Sequence, residues 1–516
     1  MQKAHGRILL IYPPYVRLYN KNFSMDTYPL SLGYLAGEIK TKSQWSVMVY
    51  NADFVPKRIR AHKFGAGQLA YMCGEGFRNY QKNLVNLYDP IWTEVRTTIH
   101  SFKPSIVGIY CCAPYVNSVK NIARLTKEYD RAATVVVGGP HPTLTKEEML
   151  TDSNIDVSVV GEGEKTLLEI LRAVEEGKSF NTIRGIVYRA GSKIIQTPVR
   201  EYLEDLDTLS FPYEYAPEVL KDYKDYPKSA FSTVMMTRGC NHNCIFCGSR
   251  CVFGTKIRYR SVGHVTTELM SIAKMGIREV NFVDDVFGAN KEYAIKLCES
   301  LIHNLKGLQW NCYSRVDLIN EQLVTLMKKA GCRSIAIGVE SGNNELLRKM
   351  RKGITAQTAI NAAKIIREHK IRIHAFYLIG FPGETEKTLT DTLDIMKKIG
   401  GQIIYNIFTP YPGTDAFDFC MQNGLIGKDY NPSLFSHQSP ENFFCPDLSK
   451  EKFREIASQI EKYVEDHNLK DHLQKSKRNV FTPKSIKEIR DRALDYGLTE
   501  SLKRFIIIAR ALLSQD

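Results

Sequence analysis

Cys240, Cys244 and Cys247 stand in the stretch TRGCNHNCIFCGSR, a C-x-x-x-C-x-x-C array placed directly after an apolar run. Three thiolates on so compact a loop can meet three irons of one face of a [4Fe–4S] cubane. The fourth iron then stays open to a substrate or cofactor. Structural zinc or a closed cluster would instead take a fourth protein ligand nearby. Cys251, four residues after Cys247, has the spacing for that role, and His242 lies inside the loop.

Four later stretches carry polar or glycine-rich ends of apolar runs. NFVDDVFG offers Asp284 and Asp285, YSRVD offers Ser314 and Arg315, and IGVESGN offers Glu340 and Ser341. LIGFPGET offers Gly380, Phe381 and Gly383. Each also has a plain reading. Gly-Phe-Pro-Gly is a good turn by itself, an Asp pair can cap a helix, and Arg315 can form a salt bridge at the rim of a barrel.

These residues must be held by strands. From Phe231 onward the runs STVMMTRG, EVNFVDD, LQWNCYSR, SIAIGVES, IRIHAFYLIG and QIIYNIFTPYPG alternate with helical stretches. Six strand–helix units of similar length predict a partial (β/α)6 barrel, with chemistry at the strand C-termini. The first region has its own alternation, from RILLIYPP through SIVGIYCCA and TVVVGGPHPT to DVSVVGEGEKTLLEIL. It predicts an α/β, doubly wound parallel sheet. The expected organisation is a first domain over 1–184 with a mainly helical insertion at about 57–100, a linker over 185–230 that opens with a hairpin candidate, GIVYRAGSKIIQT, around Ala-Gly-Ser, and a barrel over 231–435. A helical C-terminal region follows over 436–516.

CNHNCIFC after a strand, with an aromatic residue before the last cysteine, resembles the radical S-adenosylmethionine (SAM) enzymes. The resemblance implies that SAM binds the open iron through its amino and carboxylate groups. Reductive cleavage then yields a 5′-deoxyadenosyl radical that removes a hydrogen atom from substrate. It implies roles for Asp284 and Asp285 near the SAM amino group, for Ser314 and Arg315 near the carboxylate, for Glu340 and Ser341 at the ribose, and for Gly380, Phe381 and Gly383 near adenine.

The first domain resembles the cobalamin-binding domain that precedes many radical SAM domains. The likeness rests on three turns at strand ends: YPPY with Pro14 and Tyr15, VGGPHPT with Gly138, Gly139, His141 and Thr143, and VGEGEKT with Gly161, Glu162 and Gly163. Glycines there allow a bulky ligand to approach the backbone. The chain lacks the D-x-H-x-x-G sequence that supplies a cobalt-ligating histidine, so His141 is expected to shape a turn. Where the family has Ser or Thr after the third strand, this chain has Cys111 and Cys112, expected as core-packed thiols.

Together the two resemblances imply a cobalamin-dependent radical SAM enzyme with a [4Fe–4S] cluster, SAM and cobalamin as cofactors. The implied reaction methylates an unactivated carbon of a small-molecule or lipid-like substrate, with electrons from a donor such as flavodoxin or ferredoxin. A radical cyclisation or ring rearrangement without methyl transfer uses the same motifs. A non-catalytic iron–sulfur/cobalamin sensor is the reading from another class. It has no use for the SAM-type residues spread over several strands.

Composition narrows the setting. The chain has 516 residues, 43% hydrophobic and 10% aromatic, enough for large cores. No apolar run is long enough to span a bilayer, and MQKAHGRILLIYPP reads as a first strand and not a signal peptide, so a cytoplasmic protein is expected. Twelve cysteines in so long a chain do not make a disulfide scaffold. The net charge of +14 comes with no nucleic-acid-binding motif. The terminal SLKRFIIIARALLSQD has one apolar helical face among basic residues. It is expected to pack on the barrel, or else to touch an anionic membrane surface.

Overall fold

In the computed structural model of the chain, residues 6–56, 59–60, 74–437 and 439–475 are described. The N-terminal domain is built on a seven-stranded sheet. Strand β1 (Arg7–Tyr12) lies between β3 (Ser46–Asn51) and β5 (Ile106–Tyr110). The sheet continues through β6 (Thr134–Gly138) and β7 (Val157–Val159), all parallel. A separate short pair, β2 (Phe23–Ser24) and β4 (Ile59–Arg60), stands beside it. Successive strand side chains point to opposite faces, and β1 shows the result. Ile8 and Leu10 pack in the core that holds Leu32, Ala36 and Ile39 of the helix Leu30–Lys42. Leu9 and Ile11 pack in the core that holds Trp92, Val95 and Ile122 on the other side. The sheet is therefore covered on both faces, and the strand order reverses between β1 and β5, where such folds bind ligands.

Two boundaries differ from the sequence reading. The hairpin of β8 (Ile186–Ala190) and β9 (Lys193–Gln196) is not part of a linker. It adds antiparallel to β7 and completes the sheet, because the free backbone groups of β7 need a neighbour. The insertion also ends sooner than 100. Helix Pro90–Phe102, capped by Asp89, which accepts from the Ile91 amide at 2.9 Å, buries Trp92, Val95 and Ile99 as an ordinary crossover helix.

The barrel strands are β10 (Thr233–Val234), β13 (Glu279–Phe282), β14 (Gln309–Ser314), β15 (Cys332–Glu340), β16 (Arg372–Ile379) and β17 (Gln402–Ile407). They are hydrogen-bonded in chain order and all parallel. A short antiparallel ribbon, β11 (Thr237–Arg238) with β12 (Arg258–Tyr259), interrupts the first unit. The C-terminal region is less helical than expected at its start, since 439–449 is loop. Helix Lys450–Lys475 then lies along β17. Asn468 meets the edge strand as a neighbouring strand would: its Oδ1 accepts from the Ile403 amide at 2.9 Å and its Nδ2 donates to the Ile403 carbonyl at 2.8 Å. The segment SLKRFIIIARALLSQD lies outside the described residues.

Candidate active site between the sheet and the barrel

The β11–β12 ribbon pinches residues 239–257 into a loop, and all three array cysteines lie on it. Gly239 makes the entry tight. Its φ is +104°, and a Cβ there would sit 2.3 Å from the Lys256 carbonyl oxygen, so only glycine fits. The Cys240 amide donates to the Gly254 carbonyl at 3.2 Å, and the Cys247 amide to the Cys244 carbonyl at 3.2 Å. Ile245 anchors the loop's middle, donating to the Met350 carbonyl at 3.1 Å and accepting from the Ala416 amide at 3.0 Å.

Burial pushes the Cys240 and Cys244 thiols up, and the neighbouring Cys247 adds to both. The three sulfurs therefore share one environment. Two cations face it. Arg315 Nη1 donates to Cys244 Sγ at 3.8 Å, and Lys352, itself buried, lowers the Cys244 thiol together with Arg315. A thiolate-ligated cluster fits this donor set, because its negative charge meets fixed positive charge in a buried place. Among the described residues no three or more His, Cys, Asp or Glu side chains are gathered to hold a single metal ion. Cys251 sits on the short helix Ser249–Phe253 against Arg250.

The expected SAM residues divide. Asp285 faces the cysteine loop: it accepts from Ser249 Oγ at 2.7 Å and bears on the Cys240 thiol. Asp284 does not. Its Oδ1 accepts from the Met236 amide at 2.8 Å, from Thr237 Oγ1 at 2.8 Å and from the Thr237 amide. Its Oδ2 is sealed without a partner, and burial holds its carboxyl up at about 6. Asp284 ties the strand end that leads into the cysteines. Ser314 is likewise turned inward, donating to the Phe287 carbonyl at 2.8 Å. Arg315 does form the rim salt bridge, to Asp317 at 3.0 Å, while also reaching the Lys352 carbonyl at 2.7 Å and Cys244.

Glu340 lies within the site with φ +65°, its carboxylate taken by Lys352 Nζ at 2.7 Å. Ser341 is fully buried against the outer helix, 3.0 Å from Thr392 Oγ1, so it is withdrawn from a ribose. Phe381 is core, edge-on to Phe408 with ring centres 5.0 Å apart. Gly380 and Gly383 belong to a turn fixed by the buried Glu384, whose Oε2 accepts from the Gly380 amide at 3.0 Å. Lys352 and Glu384 were not singled out from sequence. Lys352 stands in RKGIT without a motif, but Glu384 belongs to the quoted LIGFPGET and was legible as the acid that closes its turn.

The glycine turns of the first domain meet at the sheet's C-terminal edge. Gly139 (φ +123°) lies so near β5 that a Cβ would come 2.6 Å from the Cys111 carbonyl oxygen. Thr143 stitches two turns together, donating to the Gly139 carbonyl at 2.8 Å and accepting from the Gly161 amide at 3.1 Å. Around Gly161 no atom lies within 4 Å of where a Cβ would be, which leaves room for a ligand at that backbone. Gly138 accepts from the Cys111 amide at 2.7 Å, and Gly163 begins the helix Gly163–Glu176.

Pro14 accepts from Ser118 Oγ at 2.9 Å. The Tyr15 amide donates to Asp53 at 2.7 Å, and Asp53 also accepts from the amides of Val16 and Arg17. At the switch point Tyr12 stacks on Tyr110 at 5.1 Å and its hydroxyl lies 3.0 Å from that of Tyr115. Cys111 is core, as its apolar strand suggests. Cys112 is only partly buried among these tyrosines, and burial still pushes its thiol to about 12. Beyond Tyr15, the tyrosines at and just after the strand ends, Tyr12, Tyr110 and Tyr115, are a signal the sequence reading misses. His141 is buried with Nε2 held 3.3 Å from Glu148.

Glu162 departs from the expected contact with cobalamin. Its carboxylate is buried and taken by Arg238 Nη1 at 2.9 Å, by Arg258 Nη1 at 2.8 Å and by the Leu203 amide at 2.6 Å. Elsewhere too the first domain meets the later part of the chain: Gly413, after β17, packs on Leu144, and Tyr80 donates to the Ser433 carbonyl at 3.1 Å.

Comparison with known proteins agrees with this geometry. Residues 234–396 match the Radical SAM superfamily, and residues 16–171 match the B12 binding domain. The chain is 33% identical over 342 residues to an uncharacterised methyltransferase of Pyrococcus horikoshii, covering 66% of this chain and 74% of that one. It is 28% identical over 336 residues to the anaerobic magnesium-protoporphyrin IX monomethyl ester cyclase of Rubrivivax gelatinosus, covering 63% of this chain and 60% of that one. The radical SAM methyltransferase TsrM from Kitasatospora setae, solved with cobalamin and a [4Fe–4S] cluster bound, shares the fold: TM-score 0.66 at 18% identity, over 89% of this chain and 88% of that one. The cysteine loop, the facing sheet edges and these matches place the chain in the radical SAM superfamily, among the enzymes that carry an N-terminal B12-binding domain.

Proposed function

We propose that the enzyme methylates a carbon atom of a small-molecule or lipid-like substrate held between the two domains. The observation that carries this reading is that the ligand-binding edge of the first sheet faces the mouth of the barrel, joined there by Glu162, Arg238 and Arg258. A methyl donor on one side and a hydrogen-abstracting radical on the other would then reach one substrate. When bound, the cluster with SAM supplies the radical, and cobalamin supplies the methyl carrier.

The chain's own residues have distinct tasks. Cys240, Cys244 and Cys247 hold the cluster. Asp285, which faces the cysteine loop, would accept from the SAM ammonium. Arg315 and Lys352 offset negative charge beside Cys244. Gly139, Thr143 and Gly161 form the edge against which cobalamin rests. A flavodoxin or ferredoxin is the proposed electron donor.

The identity to the cyclase supports ring formation without methyl transfer as a second reading. Product mass separates the two. Reconstituted enzyme, given SAM, a reductant and the metabolite that accumulates in a deletion strain, is expected to yield 5′-deoxyadenosine and a product heavier by one CH₂. A product lacking that addition, formed with 5′-deoxyadenosine, would favour cyclisation. No 5′-deoxyadenosine at all would overturn the radical step in both, and an unchanged substrate with it would overturn both readings.

A further inference from the structure

Arg238 and Arg258 lie directly opposite each other in the β11–β12 ribbon, at the neck of the cysteine loop. Both are buried. Like charges facing across paired strands repel, and burial strengthens the repulsion. Nothing on the ribbon's own register relieves it: the other pair is Thr237 with Tyr259.

The relief comes from the other domain. Glu162 and Glu164 sit at the start of the helix Gly163–Glu176. Glu162 pairs with both guanidinium groups, and Glu164 pairs with Arg238 Nη2 at 2.5 Å. All four side chains are at most 10% exposed. Arg258 further reaches the Leu203 carbonyl at 2.7 Å and the Phe253 carbonyl at 3.3 Å, so it holds the interdomain segment and the far end of the loop as well. Arg238 stands two residues before Cys240. Glu162 stands between Gly161, whose Cα faces open space, and Gly163. One short turn therefore presents backbone to the proposed cobalamin site and carboxylates to the neck of the cluster loop.

We propose that this four-residue clamp couples the two cofactor sites: occupation of the cobalamin edge fixes the 161–164 turn, which fixes the neck of the cysteine loop and favours SAM binding at the cluster. The coupling rests on the reading that cobalamin binds at this sheet edge. Coupling between two binding sites is reciprocal, so it can be read from either side. These are positioning residues: none needs to touch SAM.

The test measures SAM affinity of the cluster-reconstituted full chain, by the change SAM causes in the electron paramagnetic resonance of the reduced cluster, with and without added cobalamin. Bound cobalamin is quantified by absorbance in the same samples. In the wild type, cobalamin is expected to tighten SAM binding about fivefold or more. In Glu162→Gln/Glu164→Gln the ratio is expected to fall to about one. Arg258→Lys keeps the charge but cannot span Glu162, Leu203 and Phe253 together. It should give an intermediate ratio, and it serves should the double variant not fold. A loss of stability alone would not change this ratio. A wild-type ratio of one with cobalamin bound would overturn the coupling alone, as would a full ratio retained in the variants. A wild type that binds no cobalamin would overturn the functional reading and the coupling with it.

Discussion

Arg315 donates through Nη1 to the sulfur of Cys244 at 3.8 Å while its other nitrogens are fixed by Asp317 and the Lys352 carbonyl. The guanidinium is thus aimed at one of the three proposed cluster ligands and has little freedom to leave. A hydrogen bond to a charged sulfur contributes about 1.5–3 kcal/mol in such a setting. Arg315→Ala should therefore reduce SAM cleavage at least about tenfold, with a shifted cluster resonance. Arg315→Lys should recover only part, since a point charge replaces a fork. Unchanged cleavage and an unchanged spectrum in Arg315→Ala would show that the contact is idle.

Cys251 lies on a helix beside Arg250 and outside the 240–247 array. Cys251→Ala is expected to retain a SAM-cleaving [4Fe–4S] cluster. Alanine at Cys240, Cys244 or Cys247 should abolish cleavage. Iron and sulfide content with the yield of 5′-deoxyadenosine check this. Equal cluster loss in Cys251→Ala would indicate a four-cysteine site.

His141 is held by Glu148 and buried beside the Gly139 turn. The cob(II)alamin form of the protein is expected to show no nitrogen superhyperfine coupling from the chain, in the wild type and in His141→Ala alike. The variant should lose stability through the cavity left by a buried imidazole, while the half-exposed Glu148 returns to water. A coupling present in the wild type and absent from the variant would make His141 a cobalt ligand.

Glu384 is fully buried, and burial raises its carboxyl from 4.5 to about 7 despite the hydroxyl of Thr388 and the amide of Gly380. The folded protein thus holds this proton more tightly than the unfolded chain. The resulting stability is full below the unfolded value and is lost as pH rises through about 7. Glu384→Gln should flatten the fall in melting temperature between pH 4.5 and about 7. Parallel curves for the two proteins would show that Glu384 titrates alike in the folded and unfolded chain, against the raised carboxyl.

The six barrel strands are legible in the sequence because each is a short apolar run closed by polar or glycine residues, and both the strand count and the strand order follow from that rhythm. The three cysteines are legible from spacing alone. The direction of side chains at the strand ends is not. Asp284 and Asp285 are adjacent and chemically identical, yet the loop after β13 sends one to the backbone of Met236 and Thr237 and the other to the cysteine loop. Ser341 and Glu340 divide in the same way. The hairpin 186–196 is legible in GIVYRAGSKIIQT from its Ala-Gly-Ser turn, but its membership in the first sheet is not, because only the open edge of β7 gives it a place. Lys352 and the Glu162–Arg238 pairing depend on partners distant in the chain, which local patterns do not carry.

Asn468 supplies the edge strand β17 with both halves of a backbone hydrogen-bonding partner, and His467 lies 2.9 Å from the Gly401 carbonyl beside it. An incomplete barrel has two free edges, and a free edge is a template for the strand of another molecule. The helix Lys450–Lys475 thereby acts against aggregation as well as completing the fold. A chain cut before Lys450 would keep every cofactor-binding residue named above and still be expected to precipitate, its β17 ladder open to the next copy.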